Sequence, residues 1–127
     1  MHPQPNDKTA GRYAYEGLDR VIHEKARLSI VASLAGHGEG LLFNELKELC
    51  LLTDGNLSRH LTILQEAELI EMCKAPRNNR PQTLVRLTGL GRRRFLQYVS
   101  RLECIIADAS RLTAHDYDGQ VWRPETT

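Results

Sequence analysis

LLTDGNLSRHLTILQEAELI, residues 51–70, carries two signals that pull apart. Asp54, Gly55 and Asn56 are turn residues. Leu57, Leu61 and Leu64 follow at helical spacing, and Ala67 continues the stripe. The two agree if Thr53 is the cap. Its hydroxyl would accept from a backbone N–H of the first turn, worth about 0.5–2 kcal/mol. Asp54, Gly55 and Asn56 then form that first turn, where such residues are tolerated. Gly55 costs roughly 1 kcal/mol against alanine in a helix interior and less at an end.

With Leu57, Leu61 and Leu64 toward a core, the outer face holds Asn56, Ser58, Arg59, Thr62 and Gln65. Asp54 and Gly55 lie at the N-terminal end and His60 toward the flank, and Thr53, Asp54, Gly55, Asn56, Ser58, Arg59, His60 and Thr62 are the candidate DNA contacts. A helix entering the major groove needs this mixture. Arginine pairs with guanine, asparagine with adenine, and serine or threonine reaches bases or phosphate. Small residues at the N-terminus let the backbone come close, and the helix dipole favours phosphate there. Asp54 would repel phosphate, so it serves the helix N-terminus or accepts from a cytosine amino group. An ordinary solvated helix face has a similar composition, so neighbouring elements must decide.

Downstream, Leu69 to Lys74 and Thr83 to Leu87 read as strands around a loop, Ala75 to Gln82 (APRNNRPQ). The hairpin tip carries Arg77, Asn78, Asn79 and Arg80 between Pro76 and Pro81, with Lys74 and Arg86 at its base. Two guanidinium groups on a stiff loop suit a DNA backbone or a narrow minor groove. Upstream, Glu24 to Ala35 is an amphipathic helix with Ala26, Ile30, Val31 and Leu34 on one face. A shorter helix is expected from about Tyr13 through Val21-Ile22. GHGEG, residues 36–40, is a helix stop and turn, since no strand precedes it and no GKS or GKT follows. Leu41-Leu42-Phe43 makes a β-bridge. Asn44 is placed to cap a helix from Glu45 to Cys50 with Leu46 and Leu49 inward.

Thr88 caps a last helix of about 23 residues, about 35 Å long. Phe95, Leu102 and Ala109 fall seven apart. Tyr98, Ile105 and Leu112 form a second row, with Val99 and Ile106 beside them. Each large side chain buried is worth roughly 1.5–3 kcal/mol. A helix this long exceeds what a small domain covers, so a matching helix of a second copy is the expected partner. The expected interface is Phe95, Tyr98, Val99, Leu102, Ile105, Ile106 and Ala109. Packing on the chain's own first helices is the alternative. The fold class is mainly α with a small β-hairpin (α+β), a winged helix-turn-helix with a long C-terminal dimerisation helix. Expected boundaries are a flexible arm at 1–12, the domain at 13–112 and a flexible tail at 113–127.

Composition sets limits. The chain of 127 residues fits one domain, and its net charge of +1 names no partner. The distribution does. Glu39 to Glu71 holds seven acids and two bases, while Met72 to Arg94 holds seven bases and no acid. Such an imbalance points to an anionic partner. Cys50, Cys73 and Cys104 are odd in number and far apart, which fits a reduced, cytoplasmic chain. No signal-peptide stretch or membrane-spanning run is read, so no membrane is expected. No GxSxG, HExxH or P-loop occurs, and the five histidines show no metal spacing; no enzyme activity, metal or cofactor is expected.

LFNELKELCLLTDGNLSRHLTILQEAELIE, the RNNRP wing and VRLTGLGRRRF together resemble winged-helix transcriptional regulators of the ArsR and MarR type. The resemblance spans about residues 18 to 103, and VIHEKARLSIVASL is similar to their opening helices. It implies that Thr53 caps the recognition helix, that Asn56, Ser58, Arg59 and Thr62 face the groove, and that Arg77 to Arg80 form the wing. Thr88-Gly89-Leu90-Gly91 matches the family's entry to the dimer helix. Three positions depart. Leu52 stands where metal-sensing relatives have a second cysteine after Cys50. Leu51 and Glu68 stand where relatives carry glycine; a left-handed leucine would cost about 1–2 kcal/mol. The expectation is a homodimeric regulator of double-stranded DNA, a repressor by resemblance, with an unidentified small-molecule effector as a further partner. A protein-interaction module and a ligand or redox sensor on the same fold are the alternatives.

Overall fold

The computed structural model describes residues 18–116. The expected arm at 1–12, the start of a helix near Tyr13 and the end of the tail lie outside them. The chain divides into two units, Asp19–Tyr98 and Met1–Leu18 with Val99–Thr127. The first unit contains α1 (Lys25–Ala35), β1 (Leu41–Leu42), α2 (Phe43–Cys50), α3 (Asp54–Glu66), β2 (Ile70–Arg77), β3 (Arg80–Leu87) and the start of α4 (Gly89–Asp116). The strands form one antiparallel sheet in the order β1-β3-β2.

The core is apolar side chains from every element. Ile30, Val31 and Leu34 come from α1, Leu46 from α2, and Leu57, Leu61 and Leu64 from α3. Leu41 of β1, Leu69, Ile70, Val85, Leu87 and Tyr98 complete it, with Ile22 from the segment ahead of α1. That segment corrects the expected first helix. Val21-Ile22 is a turn, because Asp19 Oδ1 accepts from both their backbone N–H groups, at 3.0 and 3.2 Å. The other carboxylate oxygen of Asp19 accepts from Arg94 Nε at 2.6 Å, and Arg94 also reaches Oδ1 at 2.9 Å. Burial alone would raise the Asp19 pKa, but the Arg94 and backbone hydrogen bonds outweigh it and hold the carboxyl below its usual value.

Glu24 caps α1 by accepting from Arg27 N at 2.9 Å. α2 starts at Phe43, ahead of the expected Asn44 cap. Glu45 Oε1 reaches back to accept from Leu42 N at 2.7 Å, which is half of a capping box, since leucine offers no acceptor in return. Leu49 is 58% exposed, not inward. Cys50, one turn after Leu46, follows it on the covered side instead.

The hairpin is longer than expected. The strands run through the expected loop to a two-residue turn at Asn78-Asn79, whose φ values are 53° and 64°. Both signs match the primed turn whose twist fits two right-twisted strands, and asparagine tolerates it. Pro76 and Pro81 therefore face each other inside the ladder. The pair flanking the turn, Arg77 and Arg80, is the hydrogen-bonded one, so the next pair outward needs no N–H. Proline fits there.

α4 also outruns the expectation and continues past Thr113 to Asp116. Thr88 Oγ1 accepts from Gly91 N at 2.9 Å and caps it. In the second unit Val99, Leu102, Ile105 and Leu112 are half-buried, Ala109 is exposed and Ile106 is 61% exposed.

Two connections are left-handed, as the departures at Leu51 and Glu68 suggested. Leu51 has φ 53° and Glu68 φ 64°. Leu51 ends α2, where Leu52 N donates to Lys47 O at 3.1 Å. Its side chain is 90% exposed, so no packing of the leucine itself offsets the strain of about 1–2 kcal/mol. Leu51→Gly is expected to raise stability by about 0.5–1 kcal/mol, glycine's greater unfolded-state freedom offsetting part of the gain. An unchanged or lower midpoint in urea unfolding would contradict this.

Candidate nucleic-acid interface

α3 presents two faces. Leu57, His60, Leu61 and Leu64 are buried, while Asp54, Gly55, Asn56, Ser58, Arg59, Thr62 and Gln65 are exposed. Thr53 Oγ1 accepts from Asn56 N at 3.2 Å, so the cap is where the sequence placed it. Asp54 is paired with Lys47 Nζ of α2 at 2.9 Å. The pair is exposed and worth little in stability, but it lessens the repulsion between Asp54 and an approaching anion. Thr62 Oγ1 donates to Ser58 O at 3.0 Å, which leaves its lone pairs for an outside donor. A Cβ added at Gly55 would meet nothing within 4 Å. Nothing among the described residues therefore requires a glycine there.

His60 is the correction on this face. Only 5% exposed, it is no candidate for touching DNA. The signal lies in the spacing: 57, 60, 61 and 64 are the i, i+3, i+4 and i+7 positions of one stripe. The ring is held by polar groups from α1 and its cap. Arg27 NH1 lies 3.3 Å from Nδ1, and Glu24 Oε2 lies 3.7 Å from the same atom. Arg27 is itself fixed by donating from Nε to Val21 O at 2.6 Å. On the other side, Arg59 NH2 lies 3.5 Å from Nε2. Burial pulls the imidazole pKa below its ordinary value of 6.5. Glu24 pushes it back up, and Arg59 and Arg27 add to the lowering. Glu24 and Arg27 carry no local signal in the sequence that singles them out.

The wing gathers the expected cations. Arg77, Asn78, Asn79 and Arg80 are exposed at the tip, and Lys74 and Arg86 lie further down. Lys74 Nζ donates to Thr83 Oγ1 at 3.0 Å, and Arg86 pairs with Glu71 across the strands at 3.0 Å. Arg77 and Arg80 sit directly opposite each other, and neither has an ion-pair partner among the described residues. Like charges opposite each other are destabilising, so the isolated hairpin gains nothing from them. An anion between them reverses the sign.

The expected dimer residues separate. Tyr98 is 3% exposed and its hydroxyl is 2.7 Å from His23 Nδ1, so it belongs to the chain's own core and corrects that part of the list. Phe95 is half-buried in the same unit. Val99, Leu102, Ile105, Ile106 and Ala109 retain accessible surface. Cys50 is half-buried with Sγ 3.8 Å from Ser33 Oγ. Burial raises its pKa against that hydrogen bond, so it is a protonated thiol and not a poised nucleophile. Among the described residues, no three His, Cys, Asp or Glu side chains gather as a metal site, and no helix is long and apolar enough to cross a membrane.

Comparison with known proteins bears on this surface. A family model described as a winged helix DNA-binding domain matches residues 26–106. An uncharacterized protein of Methanocaldococcus jannaschii is 38% identical over 80 residues, 63% of this chain and 86% of that protein. A solved transcriptional regulator homologue from Pyrococcus horikoshii superposes with a TM-score of 0.65 at 26% identity, covering 70% of this chain and 87% of that one. MepR of S. aureus, solved as a DNA complex, shares the fold with a TM-score of 0.55 at 20% identity over 72% of this chain and 76% of its own.

Gly55→Ala is expected to leave the stability of the free protein unchanged or raise it by up to about 1 kcal/mol in urea unfolding. A loss would mean that the missing Cβ has an intramolecular role.

Proposed function

The chain belongs to the winged helix DNA-binding domain family, and on that premise we propose that it is a transcriptional regulator acting as a homodimer on duplex DNA. The observation that carries the reading is the outer face of α3. It is rich in hydrogen-bonding side chains, carries one long bidentate donor in Arg59, and opens at a glycine that no described residue requires. Asn56, Ser58, Arg59 and Thr62 read base edges in the major groove, and Thr53 and Gly55 bring the helix N-terminus to phosphate. Arg77, Asn78, Asn79 and Arg80 place the wing on the backbone, with Lys74 as a weaker contributor. His60 takes no part in contact.

Val99, Leu102, Ile105 and Ile106 of α4 supply the dimer face. They are apolar, repeat at helical spacing and remain partly accessible in the single chain. Two copies set their recognition helices about 34–36 Å apart, one duplex turn, on a near-palindromic site. By resemblance to regulators of this fold, the proposed sense of regulation is repression, the bound dimer excluding other proteins from the sequence it covers. An open cleft of about 340 Å³, lined by His23, Glu24, Lys25, Leu28, Ser29 and Tyr98, offers room for a small effector.

The test is selection from a pool of random-sequence duplexes, followed by titration of the enriched duplex against salt. The wild-type chain is expected to enrich a two-fold-related sequence, and its log Kd to depend steeply on log salt. Arg77→Ala with Arg80→Ala removes four arginines from the dimer and should lower that slope by about 3.6 while leaving the preferred sequence unchanged. Gly55→Ala should weaken binding although the protein is no less stable. No enrichment of any sequence would overturn the reading, and weak salt dependence of a partner interaction would favour a protein-binding module.

Ile106→Glu tests assembly. The side chain is exposed, so the single chain should stay folded. It is expected to sediment as a monomer at tens of micromolar, where wild type is a dimer, and to lose most of its affinity for a two-half-site duplex. A wild-type monomer at that concentration would overturn the dimer.

A further inference from the structure

The buried His60 sits between two arginines, and one of them is the proposed base reader. Arginine only donates hydrogen bonds, so each ring nitrogen facing a guanidinium must be an acceptor to bond it. A neutral imidazole has one acceptor and two claimants, Arg27 NH1 at 3.3 Å from Nδ1 and Arg59 NH2 at 3.5 Å from Nε2. If Nδ1 accepts from Arg27, Nε2 carries the proton and presents it to Arg59, which is then untethered. If Nε2 accepts from Arg59, the proton moves to Nδ1 and points at Glu24 Oε2, 3.7 Å away. Arg59 is then held back against the helix.

We propose that His60 is a positioning residue for Arg59: its proton, placed by Glu24 at the cap of α1 and Arg27 within it, decides whether the guanidinium lies back on α3 or extends to the duplex. This rests on Arg59 contacting DNA. Glu24, Arg27 and Arg59 are the charged groups facing His60 from the two helices that hold it. Arg27 is the nearer claimant and is already oriented by Val21 O, so the untethered arrangement is favoured in the neutral protein. A second proton on His60 removes the last acceptor. Nδ1–H then turns to Glu24, and Nε2–H repels Arg59 outward. Affinity for DNA therefore rises as the pH falls through the titration of His60, and the rise passes through Arg59.

His60→Gln and His60→Asn replace the ring with an uncharged amide near the Nε2 or the Nδ1 position. The experiment measures Kd for the duplex enriched by the wild-type chain from pH 7.5 to 5.5, with thermal unfolding in parallel. Wild type, both His60 variants, Arg59→Ala and each double variant are compared. The expected result is a pH-dependent gain in wild-type affinity that both His60 variants reduce. The cost of Arg59→Ala should differ at least about threefold between wild-type and His60-variant backgrounds. A merely structural His60 would lower the unfolding temperature and leave that cost equal in every background at every pH, which overturns the proposal. If Arg59→Ala weakens binding but equally in all backgrounds, only the positioning role fails. If it changes nothing on a duplex that wild type binds, the Arg59 contact fails and the positioning role with it. Should His60→Gln not fold, the His60→Asn series decides alone.

Discussion

Two consecutive carbonyls, those of Glu68 and Leu69, tie the hairpin to the helices on either side. The Glu68 carbonyl accepts from Thr88 Oγ1 at 2.7 Å, and the Leu69 carbonyl accepts from Thr88 N at 3.0 Å. Gly91, one turn into α4, lies against that same Leu69 carbonyl so closely that a Cβ would overlap it. For these carbonyls to point that way, α3 must end in a left-handed residue, and Glu68 supplies it at φ 64°. Leu69 N closes the motif on Leu64 O at 3.0 Å. The end of α3, the root of the hairpin and the start of α4 thus meet at one backbone junction, and none can shift without breaking a bond there.

That junction explains which parts of the fold were legible in the sequence. Thr88 and Gly91 were visible as a helix entry, because a cap and a glycine have local signatures. Glu68 and Leu51 were visible only as departures from a resembling pattern, since neither residue prefers a left-handed backbone. The structure keeps both strained, which means that surrounding hydrogen bonds outweigh the residue's own preference. Pro76 and Pro81 misled in the opposite direction. Prolines suggest a loop, but Asn78-Asn79 closes a turn tight enough to place them in a register position where no N–H is needed. Register is a relation between two strands, and no single strand displays it.

The candidate site shows the same division. The outer face of α3 follows from spacing alone, because helical period assigns Asn56, Ser58, Arg59 and Thr62 to one side once the leucines are placed. His60, expected at the flank as a DNA contact, instead shares the leucine stripe, because its place three residues after Leu57 outweighs its polarity. Its burial is made acceptable by Arg27 and Glu24, more than thirty residues earlier in the chain. Partners that distant are supplied by tertiary packing, which a local pattern does not contain.

The paired prolines have a consequence for how the protein behaves when crowded on a nucleic acid. β2 is the outer strand of the sheet, and β1 covers only the stretch of β3 near Leu84 and Val85. Both margins of the wing are therefore unpaired strand edges, a natural template for another chain's strand. Pro76 and Pro81 each remove an outward donor from those margins, one on either side, just below the charged tip. A neighbouring copy cannot extend a ladder along the wing past them. The wing can remain an open, extended arm without becoming a nucleus for sheet-to-sheet polymerisation.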